Sequence, residues 1–239
     1  MTTVYLAWSP SAHTTLANHC DDRAVDVLVA YPVLKQWEKL RGDYNVNRWV
    51  MDSGAFSVWN SGKTIRLDDY NAACKDVDAS EIFGLDVIQN PSATRRNLEK
   101  QWELGIDAIP CFHAGSPWAE LEWCCQRPKI AVSSRMPHKA QWLTEIFRRI
   151  HPKRVHGFAM ASRQAMDIVP FDSIDATSWI LAPSRFGNWA GYTGKQAYLN
   201  TKGIKDFWVE VVEHQRRSDW ASGRWRTALE SIRVAPCTL

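Results

Sequence analysis

The chain has 239 residues, of which 45% are hydrophobic and 23% are charged, as expected for one soluble domain of barrel or doubly wound size. No apolar run approaches the length of a membrane span, and a net charge of +3 is too small to identify a partner. The first residues lack a charged leader followed by an apolar core, so we expect no signal peptide and a cytoplasmic protein.

Short apolar runs alternate with amphipathic stretches along most of the chain. They predict eight strands, at Val4–Ala7, Val27–Tyr31, Arg48–Asp52, Ile82–Asp86, Ala108–Phe112, Lys129–Ser133, Arg154–Phe158 and Ser173–Asp175. Helices are predicted between most strands, with bounds at Leu67–Val77, Ser92–Leu104, Pro117–Cys125 and Pro137–Ile150. Ser92 and Thr94 are capping candidates, and Pro117 and Pro137 stand at first-turn positions. Residues 188–201 have the composition of a loop, and predicted helices follow at Gly203–Arg217 and Asp219–Arg233.

This alternation predicts an α/β fold with a parallel sheet, and the strand number matches a (β/α)8 TIM barrel. We expect a single domain over residues 1–239, in which residues 188–239 form a loop and a short C-terminal helical extension. An open doubly wound sheet is the alternative. No G-x-G-x-x-G follows the first strand, so nothing favours a dinucleotide site.

Polar residues stand at or near the carboxyl ends of six predicted strands, where (β/α)8 barrels hold their chemistry. They are Asp52, Asp86, His113, Ser133, His156 and Asp175. Taken alone, Asp86 is about as well explained as a helix cap or turn residue. A lone histidine is also more often a satisfied, partly buried side chain than a catalyst. The shared position at strand ends is what makes this set a candidate active site.

The cysteines do not form a metal motif. None of the six cysteines has a partner at the two-residue spacing of a zinc knuckle. Cys111 and His113 are the only close Cys/His pair, which by itself is a weak signal. We therefore expect no metal, no cofactor and reduced thiols.

Charge and tryptophan are unevenly distributed. Residues 129–163 contain eight Lys or Arg and one acid, whereas residues 64–122 contain eleven acids and five bases. One side of the molecule is thus predicted to be basic, as a polyanion-binding surface is, although a solvated helix end without a partner is the alternative. Thirteen tryptophans also suggest exposed stacking surfaces. The candidates for phosphate contacts are Arg148, Arg149, Lys153, Arg154, Arg185, Arg216, Arg217, Arg224 and Arg226.

The segment Asp52-Ser53-Gly54-Ala55-Phe56 resembles the Asp-Ser-Gly-Gly-Phe motif of tRNA-guanine transglycosylases. It is closer still to the Asp-Ser-Gly-Ala-Phe form of their shorter phage and bacterial relatives, the DNA 7-deazaguanine transglycosylases. The match continues in order from about Trp49 to Gly187. Its further segments are Gly84-Leu85-Asp86, Thr94 with Asn97, Ile109-Pro110-Cys111-Phe112-His113, Val155-His156-Gly157-Phe158 and Ser173-Ile174-Asp175-Ala176-Thr177-Ser178-Trp179.

The resemblance implies roles for individual residues. Asp175 matches the family's nucleophile, and Asp52 matches the acid that assists proton transfer. Asp86 matches the acid that reads the N1 and amino edge of guanine. The implied substrate-binding residues are Ser53, Gly54, Phe56, Asp86, His113, Ser133, Ser134, His156 and Gly157. His113 stands where the larger enzymes use Gln, and Ser133 and Ser134 stand where they use glycines.

The implied activity is exchange of guanine in DNA for a 7-deazaguanine base such as 7-cyano-7-deazaguanine, through a covalent aspartate–sugar intermediate. The implied partners are DNA and the free base, and the implied setting is the cytoplasm of a bacterium or a phage-infected host. Enzymes that act on tRNA usually carry a C-terminal zinc site, whereas this sequence has only Cys237 in that region. We therefore expect no stoichiometric zinc. Exchange in tRNA is the first alternative, and a non-catalytic nucleic-acid-binding barrel or a glycoside hydrolase is the second.

Overall fold

The computed structural model describes residues 2–19, 24–133, 139–160 and 169–176. Several predictions from the sequence lie outside these ranges. They are the loop at 188–201, the helices at 203–217 and 219–233, the helix start at Pro137, and the site candidates Ser134, Arg185, Arg216, Arg217, Arg224 and Arg226.

The described residues alternate between strands and helices. The strands are β1 (Thr3–Ala7), β2 (Val25–Ala30), β3 (Val46–Asp52), β4 (Glu81–Phe83), β5 (Ala108–Ile109), β6 (Cys111–His113), β7 (Lys129–Ser133), β8 (Arg154–Phe158) and β9 (Ser173–Ala176). The helices are α1 (Pro10–His19), α2 (Leu34–Leu40), α3 (Ala55–Asn60), α4 (Leu67–Asp76), α5 (Pro91–Glu103), α6 (Trp118–Cys124) and α7 (Lys139–Ile150), with 3-10 turns at Tyr31–Val33 and Arg41–Asp43. None of the described helices is both long and apolar enough to cross a membrane.

One predicted strand is divided in two by a proline. The sequence predicts a single strand at Ala108–Phe112, but β5 and β6 flank Pro110, which has no N–H for the ladder. The ladder continues through carbonyls, since Gly84 N donates to Ile109 O at 2.9 Å and Ala131 N donates to Pro110 O at 2.8 Å. β5 and β6 are therefore two halves of one barrel strand between β4 and β7.

The strand order confirms the predicted fold. It runs β5-β4-β3-β2-β1-β9-β8-β7-β6, and every pair whose register is defined is parallel. With β5 and β6 counted as one strand, each strand neighbours the next in the chain, which is the order of a (β/α)8 barrel. A doubly wound sheet reverses its order at a switch point, and no reversal occurs among these strands.

The chain forms two compact units, residues 7–132 and residues 1–6 with 133–239. In the first unit, β2 and β3 contribute buried Val27, Val29, Val50 and Met51, the near-continuous apolar runs of strands covered on both faces. In the second unit, the ring of Phe147 on α7 meets that of Phe171 edge-on at 5.5 Å. The single-domain organisation stays a prediction.

Helix α5 begins differently from the prediction. Neither Ser92 nor Thr94 caps it. The side chain of Asn90 accepts the N–H of Ala93 at 3.0 Å, and Pro91 occupies the first turn. Pro117 is likewise the N-cap of α6 and not a first-turn residue.

Packing accounts for the glycine at position 157. A Cβ on Gly157 would lie 2.8 Å from both Met160 Cβ and Phe171 Cε1, which are held in the core of their unit. We predict that Gly157→Ala lowers the free energy of unfolding by about 1–3 kcal/mol, the usual cost of overpacking. Chemical denaturation measures this. Gly42→Ala is the matched control, because a Cβ there meets no atom within 4 Å. Equal stability of the two variants would contradict the packing account.

Candidate functional site

Residues 52–55 form a turn at the carboxyl end of β3, the Asp52 turn, and hydrogen bonds between its side chains and its own backbone fix it. Asp52 Oδ2 accepts the N–H of Gly54 at 2.9 Å, and Ser53 Oγ accepts the N–H of Ala55 at 3.3 Å. Gly54 has φ +70°, and a Cβ there would lie 2.6 Å from Pro32 Cδ. The turn therefore needs glycine for both conformation and space, and it orients a half-buried carboxylate at the strand end.

Helix α5 holds the segment that carries Asp86. Gln101 Oε1 accepts the N–H of Leu85 at 3.1 Å, and Asn97 donates to Leu85 O at 3.0 Å. Thr94 Oγ1 accepts the N–H of Val87 at 2.8 Å. These side chains share one face of α5, since their spacing is i, i+3 and i+7. They replace the ladder hydrogen bonds that end with β4 and fix the backbone on both sides of Asp86.

Asp86 contacts residues from the neighbouring strand. His113 Nε2 lies 2.9 Å from Asp86 Oδ2, and the two side chains are 28% and 11% exposed. Cys111 is buried, and ligand atoms of Asp86, Cys111 and His113 all lie within 4.8 Å of one another. Burial lowers the pKa of His113, but the charge and hydrogen bond of Asp86, together with the charge of Asp52, outweigh it and raise that pKa. Burial above all, with Asp86 nearby, raises the pKa of the Cys111 thiol.

Asp175 belongs to the other unit and lies at the carboxyl end of β9. Its Oδ1 accepts the N–H of Ala159 at 2.9 Å and lies 3.4 Å from His156 Nε2. His156 is fully buried, and its Nδ1 shares a hydrogen bond with Ser173 Oγ at 2.9 Å. Ala159 has φ +52°, a left-handed conformation unusual for a residue with a Cβ. Asp175 is thus held by the N–H of a residue in a strained conformation, and it lies beside an oriented imidazole.

Asp172, an acid three residues before Asp175, lies at the opposite end of β9. It precedes the strand and accepts two hydrogen bonds from the Arg154 guanidinium, at 2.9 and 3.0 Å. Arg154 is the first residue of β8, which runs parallel to β9. Asp172 is therefore a structural ion-pair partner at the amino ends of these strands, whereas Asp175 is at their carboxyl ends.

The candidates for phosphate contacts that the structure describes also lie near the amino ends of the strands. Arg148 and Arg149, in the last turn of α7, both pair with Glu145 on the same helix, at 3.5 and 2.8 Å. Lys153 and Arg154 follow, just before and at the start of β8. The structure does not bring these four residues together with Asp175. Lys129, counted among the bases of this region, is buried and paired with Glu81 at 2.7 Å.

The described tryptophans include both buried and exposed side chains. Trp8, Trp37 and Trp49 are buried in one aromatic cluster. Trp59 on α3 is 41% exposed beside the equally exposed Phe56, with ring centroids 6.2 Å apart. The expected stacking surface thus has two described candidates: α3, which follows Asp52 and its turn, and Trp118, which is 36% exposed at the start of α6 and stacks on Phe112.

Several of the residues implied to bind substrate are buried or packed within the protein. Ser53 and His156 are buried, and Gly157 is packed against core side chains. Ser133 is half-buried at the end of β7. Gln101 was not predicted as a site residue, although its spacing from Thr94 and Asn97 on one helix face indicates a shared role. The sequence contains no signal for Ala159, which contributes through its backbone N–H.

Comparison with known proteins gives only distant likenesses in structure. No protein-family model and no curated protein matches the chain. N-(5'-phosphoribosyl)anthranilate isomerase from Pyrococcus furiosus is 14% identical, with a TM-score of 0.44 over 92% of this chain and 99% of that one. A mutant tryptophan synthase alpha-subunit from Pyrococcus furiosus is 10% identical, with a TM-score of 0.48 over 90% and 97%. Tryptophan synthase from M. tuberculosis is 11% identical, with a TM-score of 0.44 over 93% and 92%. At these similarities none of them bears on the chemistry of this chain.

The Asp86–His113 contact generates a titration prediction. Asp86→Asn removes the larger of the two charges that raise the pKa of His113, whereas burial, the largest single effect, still lowers it. We therefore expect that pKa to fall, measured by NMR titration of the imidazole with His113→Gln to assign the signal. In the wild type the raised pKa makes the pair stabilising below the unfolded value of about 6.5, and this contribution is lost as pH rises through the folded pKa. An unchanged pKa in Asp86→Asn would show that the imidazole does not sense this carboxylate.

Proposed function

We propose that this protein exchanges guanine in DNA for a 7-deazaguanine base such as 7-cyano-7-deazaguanine, with Asp175 as nucleophile. The observation that carries the proposal is the setting of Asp175 at the carboxyl end of β9. Its carboxylate is only 10% exposed, accepts a backbone N–H and lies beside an oriented, buried imidazole. These contacts hold one oxygen in place, as an in-line attack on a sugar carbon requires.

The strain at Ala159 is consistent with this role. A left-handed conformation in a residue with a Cβ costs about 1–2 kcal/mol, and such strain persists where the surrounding structure enforces it. Here it presents the Ala159 N–H to Asp175 Oδ1. Ser173 and His156 add a second chain of contacts to the same oxygen. We assign His156 and Ser173 as positioning residues, because they act through Asp175.

The family resemblance assigns the remaining roles of the proposal to Asp86 and Asp52. Asp86 suits recognition of guanine, since a carboxylate accepts from both the N1–H and the amino group. Its backbone is held by α5, so its oxygens are presented in a fixed direction. Asp52 suits proton transfer, because Gly54 holds one of its oxygens and the carboxylate is half-buried at a strand end.

The proposed reaction has two displacements at C1′ of the target nucleotide, which has to leave the base stack. In the first, Asp175 forms a bond to C1′ while the bond from C1′ to guanine N9 breaks. The electron pair goes to N9, and an acid protonates the departing base. In the second, the 7-deazaguanine gives a proton to Asp52, and its ring nitrogen displaces Asp175 from C1′. Two inversions retain the anomeric configuration.

DNA is the proposed substrate because the Asp52 turn has Ala55, as in the shorter DNA-modifying relatives that the motif resembles. The exposed pair Phe56 and Trp59 adds aromatic faces directly after that turn. Stacking of an unpaired base on such a face contributes about 1–3 kcal/mol without dependence on sequence.

The nucleophile assignment is tested with two neighbouring acids. We expect Asp175→Asn to lower exchange by about 10³-fold or more, because an amide is a poor nucleophile of the same shape. Asp172→Asn is the matched control, and it should retain exchange, since Asp172 pairs with Arg154 at the other end of β9. Mass analysis of the denatured protein should find the sugar adduct in wild type and in Asp172→Asn. Loss of exchange in Asp172→Asn alone would refute the assignment.

The substrate is tested by incubating the protein with 7-cyano-7-deazaguanine and either DNA or tRNA, followed by nucleoside mass analysis. We expect the modified deoxynucleoside in DNA. Modified nucleoside in tRNA alone would establish the tRNA alternative. Release of guanine without incorporation would indicate a hydrolase, and binding without either product would indicate a non-catalytic protein.

A further inference from the structure

We propose that Asp86, Cys111 and His113 form a binding site for a zinc-class divalent cation. The three ligand atoms lie within 4.8 Å of one another, among the described residues. Cys111 and His113 stand two positions apart on β6, so their side chains point to the same face of the strand. Asp86 comes from the segment after β4 and meets them there, 27 positions before His113.

The donor set selects the class of metal. A thiolate and an imidazole exclude the hard cations Mg²⁺ and Ca²⁺, which prefer oxygen ligands. A sulfur, a nitrogen and a carboxylate oxygen suit Zn²⁺. Three protein ligands leave the fourth tetrahedral position for water or another small ligand, the arrangement of open zinc sites.

A second observation points to the same place. Asp86 Oδ1 is buried and accepts no hydrogen bond of normal geometry, although the Cys111 thiol interacts with this carboxylate, while Oδ2 contacts His113. A buried carboxylate oxygen without such a hydrogen bond is costly, and a bound cation would satisfy it. The contacts of Asn97 and Gln101 with Leu85 hold the backbone next to this ligand, as supporting residues do around metal sites.

Binding of a metal would require small changes in the distances between the three ligand atoms. With metal–ligand bonds of about 2.0–2.3 Å, tetrahedral ligand atoms lie roughly 3.3–3.8 Å apart. The cluster therefore has to contract by about 1 Å at its widest, while the Asp86–His113 contact of 2.9 Å opens slightly. We expect rotation of the three side chains to supply this change. The proposal replaces the expectation of no metal drawn from the sequence, where Cys111 and His113 were an isolated pair.

A metal at this site has a consequence that rests on the proposed function. Asp86 cannot bind a cation and accept the N1–H and amino group of guanine at the same time. Bound metal should therefore compete with the base and inhibit exchange.

The test is titration of the reduced, full-length protein with Co²⁺, a spectroscopic substitute for Zn²⁺, followed by displacement with Zn²⁺. We expect one equivalent to bind with a thiolate-to-cobalt charge-transfer band. Cys111→Ser should lose the band, and His113→Gln should weaken binding by about 10–100-fold or more. Cys74→Ser is the matched control, because Cys74 is also a buried free thiol but lies on α4, and it should keep the band.

The outcomes separate this proposal from the proposed function. No saturable Co²⁺ binding, or a band that survives in Cys111→Ser, overturns the metal site whatever the exchange assay shows. His113→Gln decides the matter if Cys111→Ser fails to fold, since wild-type affinity in that variant also overturns the site. Binding that depends on both residues supports it even if exchange is absent. Where exchange is measurable, relief of Zn²⁺ inhibition in Cys111→Ser would add support.

Discussion

The backbone at the carboxyl ends of parallel strands sets the constraint on which the candidate site depends. Where a strand ends, its N–H and C=O groups lose their ladder partners, and buried groups must find others. In this chain the replacement partners lie next to the acids. Side chains of α5 serve the backbone on both sides of Asp86, whereas Asp52 and Asp175 themselves accept the N–H groups of Gly54 and Ala159. The hydrogen bonds that satisfy the backbone at these strand ends therefore also orient the carboxylates.

The sequence predicted the strands well for a physical reason. Strands covered on both faces are apolar runs bounded by polar or turn residues, and β7 and β8 begin and end at the predicted residues. The strand at Ile82–Asp86 was predicted three residues too long, since β4 ends at Phe83. Two other errors occur where a single side chain decides. Pro110 divides a strand that hydrophobicity alone makes continuous, and Asn90 caps α5 although Ser92 and Thr94 also had the right chemistry. Thr94 is engaged instead with the backbone of Val87, a tertiary contact that local patterns do not contain.

The sequence indicated which strand ends carry the candidate residues, but it did not indicate which of these residues contact one another. Strand position singled out Asp86 and His113, yet their pairing depends on the adjacency of β4 and the β5–β6 strand. Asp172 and Asp175 are the same residue type three positions apart, and the strand bounds, predicted from the sequence at Ser173–Asp175, place them at opposite ends of β9. The same topology accounts for the basic residues. The end of α7 leads into the start of β8, so charges there lie at the amino ends of the strands of their unit.

The histidine at position 113 gives the Asp86 segment a property that a glutamine would lack. A glutamine amide donates a hydrogen bond at every pH, whereas an imidazole beside a carboxylate becomes a cation when protonated. His113 already contacts Asp86 Oδ2, which leaves Oδ1 as the oxygen without a hydrogen bond of normal geometry. A guanine read by both oxygens must therefore displace the imidazole, whereas a cation must engage it. Asp86 can thus read a guanine only if His113 moves away from it, and it can bind a metal only together with His113. Protonation of the His113 imidazole shifts the balance between these two states.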